Sequence, residues 1–250
     1  MNPLNLDEVN EFVNVHIVDF HQRRIRSLED LQLNKLLKKN PYLFRAKNIT
    51  TASELIDGLL EAFLSSSEEK LFGDFLENLA VFVAGKTCNG RKSTAPGVDL
   101  EFENNGIHYI VSVKSGPNWG NSSQQNKLQQ DLQNAVKRIK QSHLKINVQP
   151  VLGICYGNTA TSYLRGYLKI VGQNFWYLIS QNEQRYTDII EPIGYRANEH
   201  NEAFLQQKDR VSNRFTGEFV NRFCDERGAI DWIKLVEFNS GNFDLEQFFS

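Results

Sequence analysis

The chain has 250 residues, 40% hydrophobic and 23% charged, enough apolar side chain for one sizeable core. A formal net charge of −2 excludes a basic module that coats polyanions, so any contact with nucleic acid must come from locally concentrated lysines and arginines. Cys88, Cys155 and Cys224 are odd in number and widely spaced, with no CxxC or Cys/His pattern, which argues against a disulfide framework and a zinc site and for a reducing compartment. No basic segment followed by an apolar run opens the chain, and no run of about eighteen apolar residues occurs, so a cytoplasmic protein away from the membrane is expected. Val9, Phe12, Val13, His16, Ile17 and Phe20 recur at helical spacing and predict a long first helix, with His16 packed on its apolar stripe. The Arg23, Arg24, Arg26 cluster behind it suits either phosphates or a solvated helix end. Asn40-Pro41 breaks the helical pattern, and the bases and aromatics of Lys38–Lys47 fit a DNA-backbone contact or a docked loop. Two capping boxes, Thr51-x-x-Glu54 and Ser66-x-x-Glu69, predict two further helices, the second ending near Gly85. Lys86 to Pro96 then reads as a polar loop in which Arg91 and Lys92 either touch DNA or form plain surface.

The segment from Gly97 to Ser115 reads as a β-hairpin. Val98, Leu100 and Phe102 alternate with Asp99, Glu101 and Glu103; in the second arm Ile107, Tyr109, Val111 and Val113 alternate with His108, Ile110, Ser112 and Lys114. Asn105-Gly106 is the pair best suited to a two-residue turn with positive φ at both positions. That turn puts Asp99 opposite Ser112 with Lys114 its diagonal neighbour, within reach of a lysine. A slip of one residue would send Asp99 and Lys114 to opposite faces. An acid and a lysine converging in this way suit phosphodiester hydrolysis: carboxylate oxygens hold a hard divalent cation that neutralises phosphate and activates water, and the lysine stabilises the charge that develops. By spacing alone, a cross-strand ion pair on an exposed sheet face accounts for the two residues as well.

Beyond the hairpin, Lys114-Ser-Gly-Pro-Asn-Trp-Gly-Asn-Ser-Ser-Gln-Gln125 runs into a helix, predicted to open at the box Ser122-x-x-Gln125 and to bury Leu128, Leu132, Ala135, Val136 and Ile139. Its other side carries Gln124, Lys127 and Gln130, types that read base edges or hold phosphates and that equally suit a solvated face. Gln149 to Tyr156 is a short apolar run bounded by turn residues, best taken as a central strand. Leu168–Val171 predicts another strand, Phe175 to Ile179 begins a helix, and Arg185 to Phe249 reads as mainly helical. Tyr163, Arg165, Tyr167 and Lys169 alternate as on one strand that could face DNA.

Strand, strand, helix, strand, together with the Lys114-Ser-Gly-x-x-Trp119 turn, resembles the type II restriction endonucleases of the PD-(D/E)XK superfamily, and specifically a branch that cuts short, GC-rich, partly degenerate palindromes. The likeness runs from about the first helix through Gly153-Ile-Cys-Tyr-Gly-Asn158 and thins towards the C-terminus. It implies an α/β restriction-endonuclease-like fold with a mixed central sheet flanked by helices, as a single domain: a helical region over 1–66, a catalytic core over 67–158 and a mainly helical recognition or dimerisation region over 159–250. It implies Mg2+ as cofactor, double-stranded DNA as substrate, a homodimer matching the two-fold symmetry of a palindrome, and a methyltransferase acting on the same site without forming a stable complex. By position Asp99 matches the first acid and Lys114 the lysine, while Ser112 stands where the second acid usually sits. A hydroxyl cannot supply that charge. Glu77, in Gly73-Asp-Phe-Leu-Glu77, is the first candidate to replace it, because many relatives bring a helical glutamate to the metal from this place; Glu101, on the strand face of Asp99, is the second. The Val113 carbonyl is a candidate neutral ligand, and Asn118, Trp119, Asn121, Gln124 and Lys127 are the candidate DNA contacts. A repair or recombination nuclease with the same site, and a DNA-binding protein without activity, remain as alternatives, the latter suggested by Ser112.

Overall fold

A computed structural model describes residues 4–142, 146–164 and 166–241. The chain packs as two compact units, one made of 1–20 and 71–197, the other of 21–70 and 198–250.

The first unit is mixed α/β. Its sheet contains β1 (Arg91–Lys92), β2 (Leu100–Asn104), β3 (Ile107–Lys114), β4 (Asn147–Ile154), β5 (Ser162–Leu164) and β6 (Tyr167–Val171), in the order β1-β2-β3-β4-β6-β5. The β3–β4 and β4–β6 pairs are parallel and the remaining pairs antiparallel. One face of the sheet packs Leu100, Phe102, Val111, Val113, Val151 and Ile170 against the start of α1 (Leu6–Glu29), the end of α4 (Ala52–Cys88) and α6 (Gln173–Ser180). The other face packs Ile110, Val148, Leu152 and Ile154 against Leu128, Leu132 and Ala135 of α5 (Ser122–Ser142). Burial on both faces explains why β4 reads as a nearly continuous apolar run instead of an alternating one.

Gly153 of β4 lies under Phe175, and a Cβ built there would sit 2.3 Å from the Phe175 ring. Gly153→Ala therefore requires the fully buried ring of Phe175 to move, and is expected to cost about 1–3 kcal/mol in denaturant unfolding. Combining it with Phe175→Leu should return part of that loss; a stable Gly153→Ala single variant would contradict the packing.

The second unit is helical. The end of α1, α2 (Leu33–Leu36), α3 (Pro41–Ala46), the start of α4, α9 (Ala197–Phe223) and α10 (Trp232–Ser240) enclose Leu28, Leu55, Leu59, Val211, Phe215, Phe219 and Leu235. The break at Asn40-Pro41 starts α3, with the Asn40 side chain accepting from the Tyr42 N–H at 3.0 Å. Among the described residues no helix is long and apolar enough to cross a membrane.

Several local expectations are corrected. Thr51 does cap a helix, its Oγ1 accepting from the Glu54 N–H at 3.3 Å. Ser66 does not: α4 runs unbroken for 37 residues, and the Ser66 hydroxyl donates instead to the Ala62 carbonyl one turn back, at 3.2 Å. The helix passes Gly85 and stops at Cys88, where Asn89 takes φ +54° and the Gly90 N–H caps the Ala84 carbonyl at 2.9 Å. The expected loop after Gly85 thus contains the end of a helix and a short strand. Tyr163 and Tyr167 do not share one strand; they belong to β5 and β6, which pair antiparallel, Tyr163 being exposed and Tyr167 buried. Arg165, and the end of the C-terminal stretch from 242 to Phe249, lie outside the described residues. Arg24 is neither a phosphate contact nor a solvated helix end: it is buried, donates from Nε to Glu68 at 2.8 Å and lies 3.8 Å over the Phe204 ring. His16 is partly buried, stacks on Phe12 and bonds the Phe12 carbonyl through Nδ1 at 2.8 Å.

Candidate active site

The hairpin fixes the geometry of the site. Asn105 and Gly106 both have positive φ, +51° and +73°, as the two-residue turn demands. The ladder runs from Asn104↔Ile107 to Leu100↔Val111, and continuing it by one step sets Asp99 opposite Ser112. Asp99 donates its N–H to the Val111 carbonyl at 2.8 Å. Its side chain then turns into the place where the ladder would continue, so that Oδ2 accepts the Val113 N–H at 2.7 Å and the Ser112 hydroxyl at 3.3 Å. The Lys114 Nζ stands 3.7 Å from the same oxygen and donates to the Val113 carbonyl at 2.9 Å. One carboxylate oxygen is thereby aimed by two hydrogen bonds and faced by one ammonium.

Glu77 arrives from α4. That helix passes close to the end of β3, for a Cβ at Gly73 would lie 3.6 Å from the Ser115 hydroxyl, and Glu77 follows Gly73 by one turn on the same side. Burial raises the Glu77 pKa, and the Asp99 carboxylate raises it further, opposed by a hydrogen bond from Lys92 and by the charges of Lys92 and Lys114. A neighbouring carboxylate disfavours the charged form of its partner, which is why Asp99 adds to the shift at Glu77. Cys155 is buried in the core of the same unit, and burial, with a smaller push from Glu77, raises its thiol far above the ordinary range, so it stays neutral.

Glu101 is placed differently. It takes an ion pair from Arg91 at 3.4 Å, a hydrogen bond from Ser93 and the His108 ring, Nε2 at 3.7 Å, and it lines a cavity of about 630 Å3 together with Glu103, His108 and Arg138. None of these partners touches the Asp99 carboxylate, though the Ser93 N–H donates to the Asp99 backbone carbonyl at 3.2 Å. Among the described residues no three His, Cys, Asp or Glu side chains form a ready metal cage.

The turn after Lys114 stays beside the site. The Trp119 ring centre is 6.0 Å from the Lys114 ammonium. Gly116 lies against the Tyr156 side chain just after β4, where a Cβ would meet the end of its ring at 2.6 Å, so a larger residue here would have to turn that exposed tyrosine aside. The α5 cap is one residue earlier than the sequence suggests: Asn121 and Gln124 cap each other, Asn121 N–H to Gln124 Oε1 at 2.9 Å and Gln124 N–H to Asn121 Oδ1 at 3.1 Å. Both side chains are exposed, as are Asn118 and Lys127, while Trp119 is half-buried. Sequence reasoning missed the contact of Lys92 with Glu77, because nothing local indicates that β1 would be laid against the Asp99 strand.

Residues 7–201, well over half of the chain, match a family model described as Type II restriction endonuclease EcoO109I. No curated protein matches the chain.

Proposed function

Since the chain belongs to the EcoO109I family of type II restriction endonucleases, and is thus a site-specific deoxyribonuclease of double-stranded DNA, we propose that Asp99, Glu77 and Lys114 form its active centre and that Mg2+ is its cofactor. Enzymes of this class generally use divalent metal ions. The observation that supports the reading is the convergence of one oriented carboxylate, a second carboxylate of raised pKa and one ammonium at the end of β3.

The donors suit magnesium, which keeps most of its waters and needs only one or two carboxylates. Asp99 and Glu77 would supply the charge and the Val113 carbonyl a neutral oxygen, one lone pair of which already accepts from Lys114. Ser112 is buried and bonded to Asp99, so it orients that carboxylate and contributes no charge of its own. Glu101, tied to Arg91, Ser93 and His108, is a weaker choice for the metal than Glu77. A divalent cation bound here supplies a nucleophilic water at neutral pH and screens the phosphate. Lys114 lies where its ammonium can stabilise the charge that develops on the attacking or transferring oxygen. Asp99 keeps its orientation through the Val113 N–H, so the site is set before DNA arrives.

The core order β2, β3, α5, β4, in a mixed sheet flanked by helices, is consistent with a restriction-endonuclease-like fold. The exposed Asn118, Asn121, Gln124 and Lys127, with Trp119 beside Lys114, would contact DNA next to the scissile bond. A homodimer reading a short, GC-rich palindrome completes the proposal, with a methyltransferase of the same specificity protecting host DNA.

Digestion of a sequenced plasmid tests it. Discrete fragments in magnesium buffer, none in chelator, and ends mapping to one two-fold symmetric sequence are expected. A smear, or cleavage that persists in chelator, would overturn it. The raised pKa of Glu77 adds a pH signature: protons compete with the metal for this carboxylate at higher pH than for an ordinary glutamate, so affinity should begin to fall at a higher pH than an ordinary glutamate ligand would give. Calcium titrations of the wild type and Glu77→Gln should show the acid-side loss flattened in the variant; identical profiles would remove Glu77 from the metal.

A further inference from the structure

The two residues of β1 face two different acids. Lys92 is opposite Leu100 in the β1–β2 register, and the next residue, Ser93, donates its N–H to the Asp99 carbonyl at 3.2 Å, so this strand is tied to the backbone of Asp99 itself. Successive strand residues point to opposite faces. Arg91 accordingly turns to Glu101, and Lys92 turns to Glu77, with Nζ 3.3 Å from Oε1. Glu77 is mostly shielded, its side chain 26% exposed, whereas Lys92 is 64% exposed and hangs on a flexible stem.

A pair of this kind contributes little to folding, because the exposed ammonium gains almost as much from water as from the carboxylate. Its effect lies elsewhere. Glu77 and Asp99 repel each other, and among the described residues the ammonium that hydrogen-bonds to Glu77 is that of Lys92. We propose that Lys92 is a positioning residue acting through Glu77: its ammonium occupies that carboxylate in the metal-free protein and must be displaced when the cation enters, so Lys92 sets the metal concentration at which the site loads. This rests on Glu77 being a metal ligand, as proposed above.

Calorimetric titration of the full chain with calcium, without DNA, reads loading independently of turnover. Lys92→Met should bind calcium about two- to fivefold more tightly than wild type, the range an exposed ion pair can contribute. Lys92→Arg should stay near wild type, and Glu77→Gln should bind more weakly and be indifferent to a second Lys92→Met change. Unchanged or weaker binding in Lys92→Met, with Glu77→Gln weakened, would overturn the role of Lys92 and leave Glu77 as a ligand. Wild-type affinity in Glu77→Gln would overturn both. Because Lys92 is exposed, matching melting curves of wild type and Lys92→Met are expected and confirm that folding is not what is being measured.

Discussion

Lys114→Ala is expected to lower cleavage of double-stranded DNA by about a hundredfold to a thousandfold, the usual loss when one pre-placed donor is removed from a developing negative charge. The ammonium is 3.7 Å from Asp99 and is held by the Val113 carbonyl, so it is positioned by groups that the substitution leaves in place. Lys114 is also partly exposed, and its truncation removes no core side chain. Folding and DNA binding should therefore persist, and single-turnover cleavage beside a binding assay separates the two effects. Lys114→Arg should recover only part of the rate, because a planar guanidinium cannot take the place of a compact ammonium. A fully active Lys114→Ala variant would remove the lysine from the mechanism. Loss of cleavage with binding kept would also exclude a protein whose sole activity is DNA binding.

Asp99→Asn is expected to have the larger effect, about a thousandfold or more, since several kcal/mol of transition-state stabilisation depend on holding the cation. The choice of asparagine matters. Asp99→Ala would leave the Val113 N–H without its acceptor, at a cost of about 1–3 kcal/mol for a buried donor, and would confuse lost chemistry with lost stability. Asparagine keeps an oxygen for that N–H and removes the charge. Unchanged melting, weak calcium binding and no cleavage are the expected results. Cleavage at the wild-type rate would show that Asp99 only ties β2 to β3.

How much of this could be read along the chain follows from distance in sequence. The hairpin was legible down to its register because all of its determinants are local: a two-residue turn, alternation on both arms, and arms short enough to leave one register. Asp99 opposite Ser112 follows directly. Asn40-Pro41 was legible for the same reason. Serines were harder, since Ser66 can cap a helix or bond back to the preceding turn, and with Leu71, Phe72, Phe75 and Leu76 continuing the apolar face the unbroken helix wins. The α5 cap was displaced by one residue because Asn121-x-x-Gln124 and Ser122-x-x-Gln125 satisfy the same pattern, and only Asn121 closes both bonds.

What escaped the sequence is long-range. Arg24 looks like one more surface arginine until Glu68 and Phe204, from other helices, enclose it. The pairing of Lys92 with Glu77 depends on how β1 lies against β2. The grouping of residues 21–70 with 198–250 joins segments from opposite halves of the chain. Glu77 lies between these cases: resemblance suggested it, and what the structure adds is a carboxyl of raised pKa, shifted first by burial and then by the Asp99 carboxylate.

The most direct measurement is a crystal structure of the protein with a duplex carrying the mapped cleavage site and calcium in place of magnesium. The expected result is one calcium bridging the Asp99 carboxylate and the scissile phosphate, with Glu77 in its coordination sphere and the Lys114 ammonium within hydrogen-bond distance of the phosphate or its attacking water. Calcium bound elsewhere, with Asp99 and Lys114 paired to each other away from the DNA, would contradict it.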